Sequence, residues 1–369
     1  MLCFIKKNVI IVIMKKVLII DTVPMTMNGM TSVILQTVKQ CSGYVSFEVL
    51  TNKTIDPLIK EEISRYSKKI FVLNDRKKHM LKYRSELKAL LKNNSYDYVH
   101  IHGNSSTMVL ETFLSRKVAN VKVIVHSHNT KCKHKILNSL LSKSFNKSYD
   151  TALACSKEAG EWLYDGPFMV IPNSIETNKY KFSNTIRDNI RNKLGLATNS
   201  YVIGHVGLFN KQKNHKKLFG VFNELSKRNN AVLLCVTGDD SIPGAIKKQL
   251  HKLHIEERVI ILKSRDDINN LMQAMDCFIF PSLHEGLGIV LLEAQASGLP
   301  IYASDTIPKA VNITNSISFI SLNKTDLDWA NIIQLDPVQQ QRRLVLNEIV
   351  AKSKYDAHYL KAIYKEIYK

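Results

Sequence analysis

FIFPSLHEGLGIVLLEAQASGLP, residues 278–300, is the stretch on which the reading of this sequence turns. FIFPS has the apolar run of a buried strand. LHEGLG is a turn with two glycines, and IVLLEAQASG reads as a helix that stops at Gly298, just before Pro300. A glycine turn feeding a helix N-terminus is an anion site: amides of the first turn point outward, and the helix dipole adds positive charge. Glycine lets a phosphate approach the backbone closely. Glu293 lies about one and a half turns into the helix, leaning back toward its start. A carboxylate there can accept from two vicinal hydroxyls, as on a ribose. Glu285, in the turn, lies on the other side of the phosphate, where it can grip whatever the diphosphate carries. Isolated glutamates at this spacing are usually a solvated loop residue and a salt-bridged helix residue. The strand-turn-helix context and the glycines favour a nucleotide-sugar site instead.

The same unit recurs on both sides of this stretch. KVLIID (16–21), FEVLT (47–51), KIFVL (69–73), YDYVHIHG (96–103), KVIVHSH (122–128), TALACS (151–156) and FMVIPNS (168–174) read as strands, separated by helical stretches such as RSELKALLKNN. After a polar helix, NTIRDNIRNKLGL (184–196), the pattern restarts with YVIGHVG, AVLLCVTG, RVIILKS, DCFIFPS, PIYAS and SISFISL. Strand-helix alternation predicts parallel sheets covered on both faces. The fold class is therefore α/β, two doubly wound Rossmann-like domains in tandem. The expected division is an extension over 1–13, a first domain over 14–182, a second over 183–345 and a C-terminal helix over 346–369. Met14 opens the first buried strand, so residues 1–13 read as an extension or the product of an upstream start. Ligands of open parallel sheets sit beyond the carboxyl ends of the strands, which places the site in the cleft between the domains.

Composition fits a folded chain of this size. Of 369 residues 45% are hydrophobic and 23% charged. A formal charge of +20 favours anionic partners, but no helix-turn-helix, zinc-finger or RNA-binding signature is present, so nucleic acid is not expected. Six cysteines form no C-x-x-C pair and read as buried thiols in a reducing cytosol. Lysines 6, 7, 15 and 16 interrupt the apolar N-terminal run, which falls short of a membrane span.

Read together, NGMTSVIL, YDYVHIHG, VIVHSHNT, VIPNSI, GHVGLFNKQKNH, VTGDD and SLHEGLGIVLLEAQASGLP resemble the retaining GT-B glycosyltransferases of family four, whose signature is E-x7-E. The resemblance runs from Met14 over nearly the whole chain. It is strongest to members that build bacterial capsular or exopolysaccharide. It implies two domains facing a central cleft, with the C-terminal helix crossing back to the first. It also implies that Glu285 contacts the transferred sugar and Glu293 the ribose, with the amides of Gly286, Leu287, Gly288 and Ile289 holding sugar and diphosphate.

In the family an arginine follows the glycine matched by Gly207, and a lysine comes a few residues on. Lys213 matches the lysine, but Leu208 stands at the arginine position. Either Lys211 or another cation compensates, or activity is reduced or absent. His128 matches the family's cleft histidine. His102, nearer its strand end than His100, is the better second ligand, and His126 is the more deeply packed. Gly29 lets the first strand-helix turn pass close to the sugar or diphosphate. Ser264 and Arg265 meet the base, and Gly238 lines the diphosphate, with Asp239 a weaker candidate. Catalysis is thus expected from Glu285, His128 and Lys213, and substrate binding from the others.

The implied reaction moves a hexose or N-acetylhexosamine, with retention, from a UDP-sugar to a saccharide acceptor, often lipid-linked. It needs no metal and no cofactor beyond the donor. GDD and RDD make poor D-x-D metal sites. In the basic stretch 131–150, Ile136, Leu137, Leu140, Leu141 and Phe145 fit one helical face, a candidate for contact with an anionic membrane, giving a cytoplasmic protein, peripheral on the inner face of the plasma membrane. Two rivals share the architecture: a non-catalytic subunit that partners a true enzyme, favoured by Leu208, and an epimerase of a UDP-amino sugar.

Overall fold

A computed structural model describes residues 14–369 apart from Met27, Ala119, Asn120, Lys131, Lys133, Asp239, Asp240, Ser264, Pro337 and Val338. The expected extension over 1–13 lies outside the described residues. Two parallel sheets organise the chain. The first contains β1 (Lys15–Asp21), β2 (Val45–Asn52), β3 (Ser67–Leu73), β4 (Tyr98–Gly103), β5 (Lys122–Ser127), β6 (Thr151–Ala154) and β7 (Met169–Val170), in the order β3-β2-β1-β4-β5-β6-β7. The second contains β8 (Tyr201–Val206), β9 (Ala231–Val236), β10 (Val259–Leu262), β11 (Cys277–Phe280), β12 (Ile301–Ser304) and β13 (Ile317–Ile320), in the order β10-β9-β8-β11-β12-β13. Helices cover both faces of each. The central strands β2 and β4 are buried along their whole length, as parallel strands between helical layers must be.

In each sheet the strand order reverses beside the first strand, between β1 and β4 and between β8 and β11. The loops leaving those strands splay apart there and open a crevice. These two switch points supply the loops of the cleft.

The chain crosses between domains twice, at adjacent places. Ile175 pairs in parallel with Asp356; its amide donates to the Tyr355 carbonyl at 2.9 Å, and its carbonyl accepts from Ala357 at 2.9 Å. The first crossing thus precedes the boundary expected near 182. Tyr180 already belongs to the second domain's core, and the Phe182 ring lies 4.1 Å beneath the Arg343 guanidinium. The C-terminal segment is two helices rather than one. Gln340–Ala351 packs on the second domain, and Ala357–Ile367 returns to the first. The first of these is anchored by Arg343, buried, which donates to the carbonyls of Ser297 (2.8 Å) and Met272 (3.1 Å). Only glycine fits at 298, where φ is +69° and a Cβ would lie 2.4 Å from the Arg343 Cα. In the last helix Leu360 and Tyr364, followed by Tyr368, enter the core beside Val17, Ile19 and Tyr98.

Candidate active site

The second domain's switch point is built from the loops after β8 and β11, tied together by hydrogen bonds to backbone carbonyls. Leu283 N–H donates to the Gln212 carbonyl at 2.8 Å, Gln212 Nε2 to the His284 carbonyl at 3.0 Å and Asn214 Nδ2 to the Pro281 carbonyl at 3.1 Å. This stitching fixes Lys213 against Glu285, with Nζ 2.8 Å from Oε1. The ammonium also lies 4.6 Å above the Phe280 ring, a cation–π contact. The lysine stem passes Gly207 so closely that a Cβ there would lie 3.0 Å from Lys213 Cδ. Lys211 is exposed to solvent.

Gly288, at φ +75°, turns the chain into the helix Ile289–Ala296, whose start has no side-chain cap. Its first-turn donors are the feature that makes helix starts bind anions. Gly286 is exposed, whereas the Leu287 side chain enters the core, so Leu287 offers only its backbone. Glu293 is partly exposed and is hydrogen-bonded by the Tyr180 hydroxyl. Burial raises its pKa above the usual carboxylate range, with the Tyr180 bond opposing.

A cavity of about 610 Å³ lies between the domains. Its second-domain wall includes Gly207, Leu208, Gly238, Arg265, Ile289 and Glu293, and its first-domain wall includes Ser32, Gln36, Ile59 and Arg65. Gly29, on the first domain, would place a Cβ 3.6 Å from Ile289 Cδ1, so the first residues of two equivalent helices meet across the cleft. Leu208 lies flat over Gly238, where a Cβ would come within 2.6 Å of its Cδ2. Arg265 is tied to Asp267 through two bonds, at 2.6 and 2.8 Å. Ser264 and Asp239, both expected here, lie outside the described residues.

The first domain's histidines divide differently. His102 is fully buried, beneath the surface that meets the cleft, and its contact is with His128. Its Nδ1 lies 2.9 Å from His128 Nε2, and the His128 amide donates to Asn104 Oδ1 at 3.1 Å. Burial depresses the His128 pKa to about 3, so its ring stays neutral at pH 7. His126 is fully buried, packed as its depth in the strand implied. The cavity therefore gathers Gly207, Gly238, Arg265, Ile289 and Glu293. The Lys213–Glu285 pair adjoins it at Gly207, and His128 does not line it.

Three contributors escaped the sequence reading. Tyr180 lies in a stretch assigned to the domain boundary. Gln36 and Lys39 bond Glu176 beside the first crossing, at 3.3 and 2.8 Å. The wall from Pro57–Ser64 has no motif at all. In the basic stretch, the helix Lys135–Phe145 exposes Ile136 and Leu140, at 81% and 73%, beside exposed Lys135 and Lys143. Phe145, expected on that apolar face, instead turns into the core.

Two Rossmann-like domains facing one cleft, each closed by a glycine turn and a helix start, define the GT-B architecture. The chain belongs to the family-four glycosyltransferases: residues 27–179 match Glycosyltransferase Family 4, and residues 186–317 match Glycosyl transferases group 1. EpsF of Bacillus subtilis, assigned as a glycosyltransferase, is 29% identical over 336 residues, spanning 86% of this chain and 87% of that one. The Escherichia coli UDP-Gal:alpha-D-GlcNAc-diphosphoundecaprenol alpha-1,3-galactosyltransferase is 30% identical over 259 residues, 65% of each chain. Among solved structures, Anabaena HepE in complex with UDP and glucose superposes with a TM-score of 0.77 at 18% identity, covering 96% of this chain and 99% of that one. WaaG, a glycosyltransferase involved in lipopolysaccharide biosynthesis, superposes at 0.70 and 16% identity, covering 95% and 99%. Among the described residues no helix is long and apolar enough to cross a membrane.

Proposed function

We propose that the protein is a retaining hexosyltransferase that uses a UDP-sugar and extends a lipid-linked saccharide in exopolysaccharide synthesis. The observation that carries this is the cavity, lined by Gly207, Gly238, Arg265, Ile289 and Glu293 and flanked by the Lys213–Glu285 pair. In this reading Glu293 accepts from the ribose hydroxyls, and the start of Ile289–Ala296 receives the diphosphate. The Lys213 ammonium has three donors, so it holds Glu285 and still meets a phosphate oxygen. As the glycosidic bond breaks, negative charge grows on that oxygen and Lys213 stabilises it. Glu285 orients the sugar. His128, neutral, accepts or donates one hydrogen bond at the acceptor side. The leaving oxygen then takes the acceptor proton on the same face from which the donor departs, which retains the anomeric configuration. No metal has a part in this step.

The acceptor class rests on two supports. One relative acts on a diphosphoundecaprenol substrate. The exposed Ile136, Leu140 and lysines of Lys135–Phe145 form an apolar face with a basic border, fit to lie on the anionic inner leaflet of a plasma membrane. Incubation of the protein with UDP-hexoses and a polyprenyl-diphosphate N-acetylhexosamine tests the reading. The expected product is one sugar longer, with the donor's anomeric configuration by proton NMR. Release of free sugar alone, or inversion, contradicts it.

A second reading, a binding subunit without transfer activity, is favoured by Leu208, which places hydrocarbon where the family's second cation stands. It predicts donor binding with no product on any acceptor, while Leu208→Arg leaves turnover at zero.

A further inference from the structure

Beneath His128, four imidazoles stack on one face of the first sheet. His100 and His102 alternate on β4, and the register sets His102 beside His126 on β5. Ring centroids are 4.2 Å apart for His100 and His102, 5.1 Å for His102 and His126, and 4.3 Å for His126 and His128. The first three are fully buried. The hydrogen bonds divide their nitrogens. His100 Nδ1 lies 2.7 Å from the Tyr368 hydroxyl, and His102 Nδ1 lies 2.9 Å from His128 Nε2. Nε2 of His100, Nε2 of His102 and both nitrogens of His126 have no hydrogen-bond partner among the described residues.

Buried polar atoms without partners are costly and call for an explanation. Here they share a pattern: each ring keeps at least one unused nitrogen, and ligand atoms of the three lie within 4.8 Å of one another.

We propose that His100, His102 and His126 form a three-imidazole site for a divalent cation of the Zn²⁺ class. Two Zn–N bonds of about 2.1 Å at the tetrahedral angle set the nitrogens ~3.4 Å apart, so the rings must rotate to draw them together by up to about 1.4 Å. An all-nitrogen set excludes the oxygen-seeking Mg²⁺ and Ca²⁺ and suits zinc, copper, iron or nickel. Tyr368 and His128 occupy the other nitrogens of His100 and His102, the arrangement that orients metal-bound imidazoles. The site fastens the C-terminal residues to β4 and β5 and steadies His128. It lies below the cleft and bears on sugar transfer only through the position of His128.

The test uses the full chain, stripped with a chelator, dialysed against Zn²⁺ and desalted. Metal per chain is measured by mass spectrometry and stability by thermal unfolding. His251 and His254, with ring centroids 6.1 Å apart and His251 exposed, are a second place where zinc can adhere, so His251→Ala/His254→Ala is included. The expected result is one zinc per chain in the wild type and in that double variant, almost none in His126→Asn, and a zinc-dependent rise of about 5 °C or more in the midpoint. Co²⁺ gives visible bands of tetrahedral coordination in the wild type and the double variant but not in His126→Asn. If His126→Asn fails to fold, His102→Gln is read by the same Co²⁺ spectrum, where loss of the bands supports the site. Equal zinc in wild type and His126→Asn, loss of zinc in the double variant, or a wild type that retains none overturns the proposal.

Discussion

The two walls of the cleft are built on different electrostatic principles. The second domain presents charge and backbone: an ion pair at 2.8 Å, a guanidinium tied to Asp267 and an uncapped helix start. The first domain sinks the histidines of β4 and β5 and Asp21 in the sheet, behind a cavity wall that carries Ser32, Gln36 and the ion-paired Arg65. His100 and His128 have pKa values near 3, and Asp21, beside His102 in the register, is raised by burial to about 7. A wall of fixed charges suits a diphosphate whose charge grows during reaction. The difference teaches that the division of labour is carried by burial as much as by residue type.

The sharpest way to break this comparison is at the charged wall. Lys213→Ala should lower kcat by roughly 10²–10³-fold, equivalent to about 3–4 kcal/mol, with circular dichroism unchanged, because a donor aimed at a developing anion is lost. A tenfold loss or less would mean the pair is structural. Behind the first domain's wall, His102→Phe keeps the volume but removes the partner of His128. We expect kcat to fall about tenfold with donor KM unchanged, the mark of a positioning residue. A rise in donor KM alone would place His102 on the donor instead.

A third test separates the walls by pH. The buried histidines have folded pKa values far below the unfolded value of about 6.5. Their contribution to stability is present above pH 6.5 and is lost as pH falls toward 3, since only the unfolded chain binds those protons. Each should steepen the fall by about 1.4 kcal/mol per pH unit, and His100→Phe should remove one proton from the uptake measured by urea unfolding between pH 6 and 4. An unchanged slope would mean that His100 is already charged. The smallest effect is a gain. Leu208→Arg should tighten UDP binding about tenfold, the worth of one charge-assisted contact, if the position faces the diphosphate.

How much of this was legible follows the same division. The second domain's loops can be placed from sequence because their signals are local: Gly286, Gly288, Glu285 and Glu293 sit within nine residues, and a strand-turn-helix imposes their geometry. The two-domain fold was legible for a similar reason, since buried parallel strands are short apolar runs. The first domain's site depends on register and on distant chain. His102 looked like a ligand because it lies near a strand end, but the sheet continues over it, and only β4–β5 pairing reveals that it serves His128. The His100–Tyr368 contact joins residues 268 apart, which no local pattern carries. The first crossing precedes the boundary expected at 182 because Tyr180 and Phe182, ahead of the polar helix, already pack on the second domain. Phe145 was assigned to an exposed face by its spacing, although it lies at the end of the helix, where the chain turns into the core.

The central claim is that the cavity beside Glu293 holds the nucleotide of a sugar donor. Calorimetric titration of UDP, GDP and their sugar conjugates into wild type and Glu293→Ala tests it most directly. The account predicts UDP binding in the micromolar range, weakened about 30-fold or more in the variant, as expected for losing a carboxylate that accepts two ribose hydroxyls. Binding of equal strength in both proteins, or no binding of any nucleoside diphosphate, would contradict it.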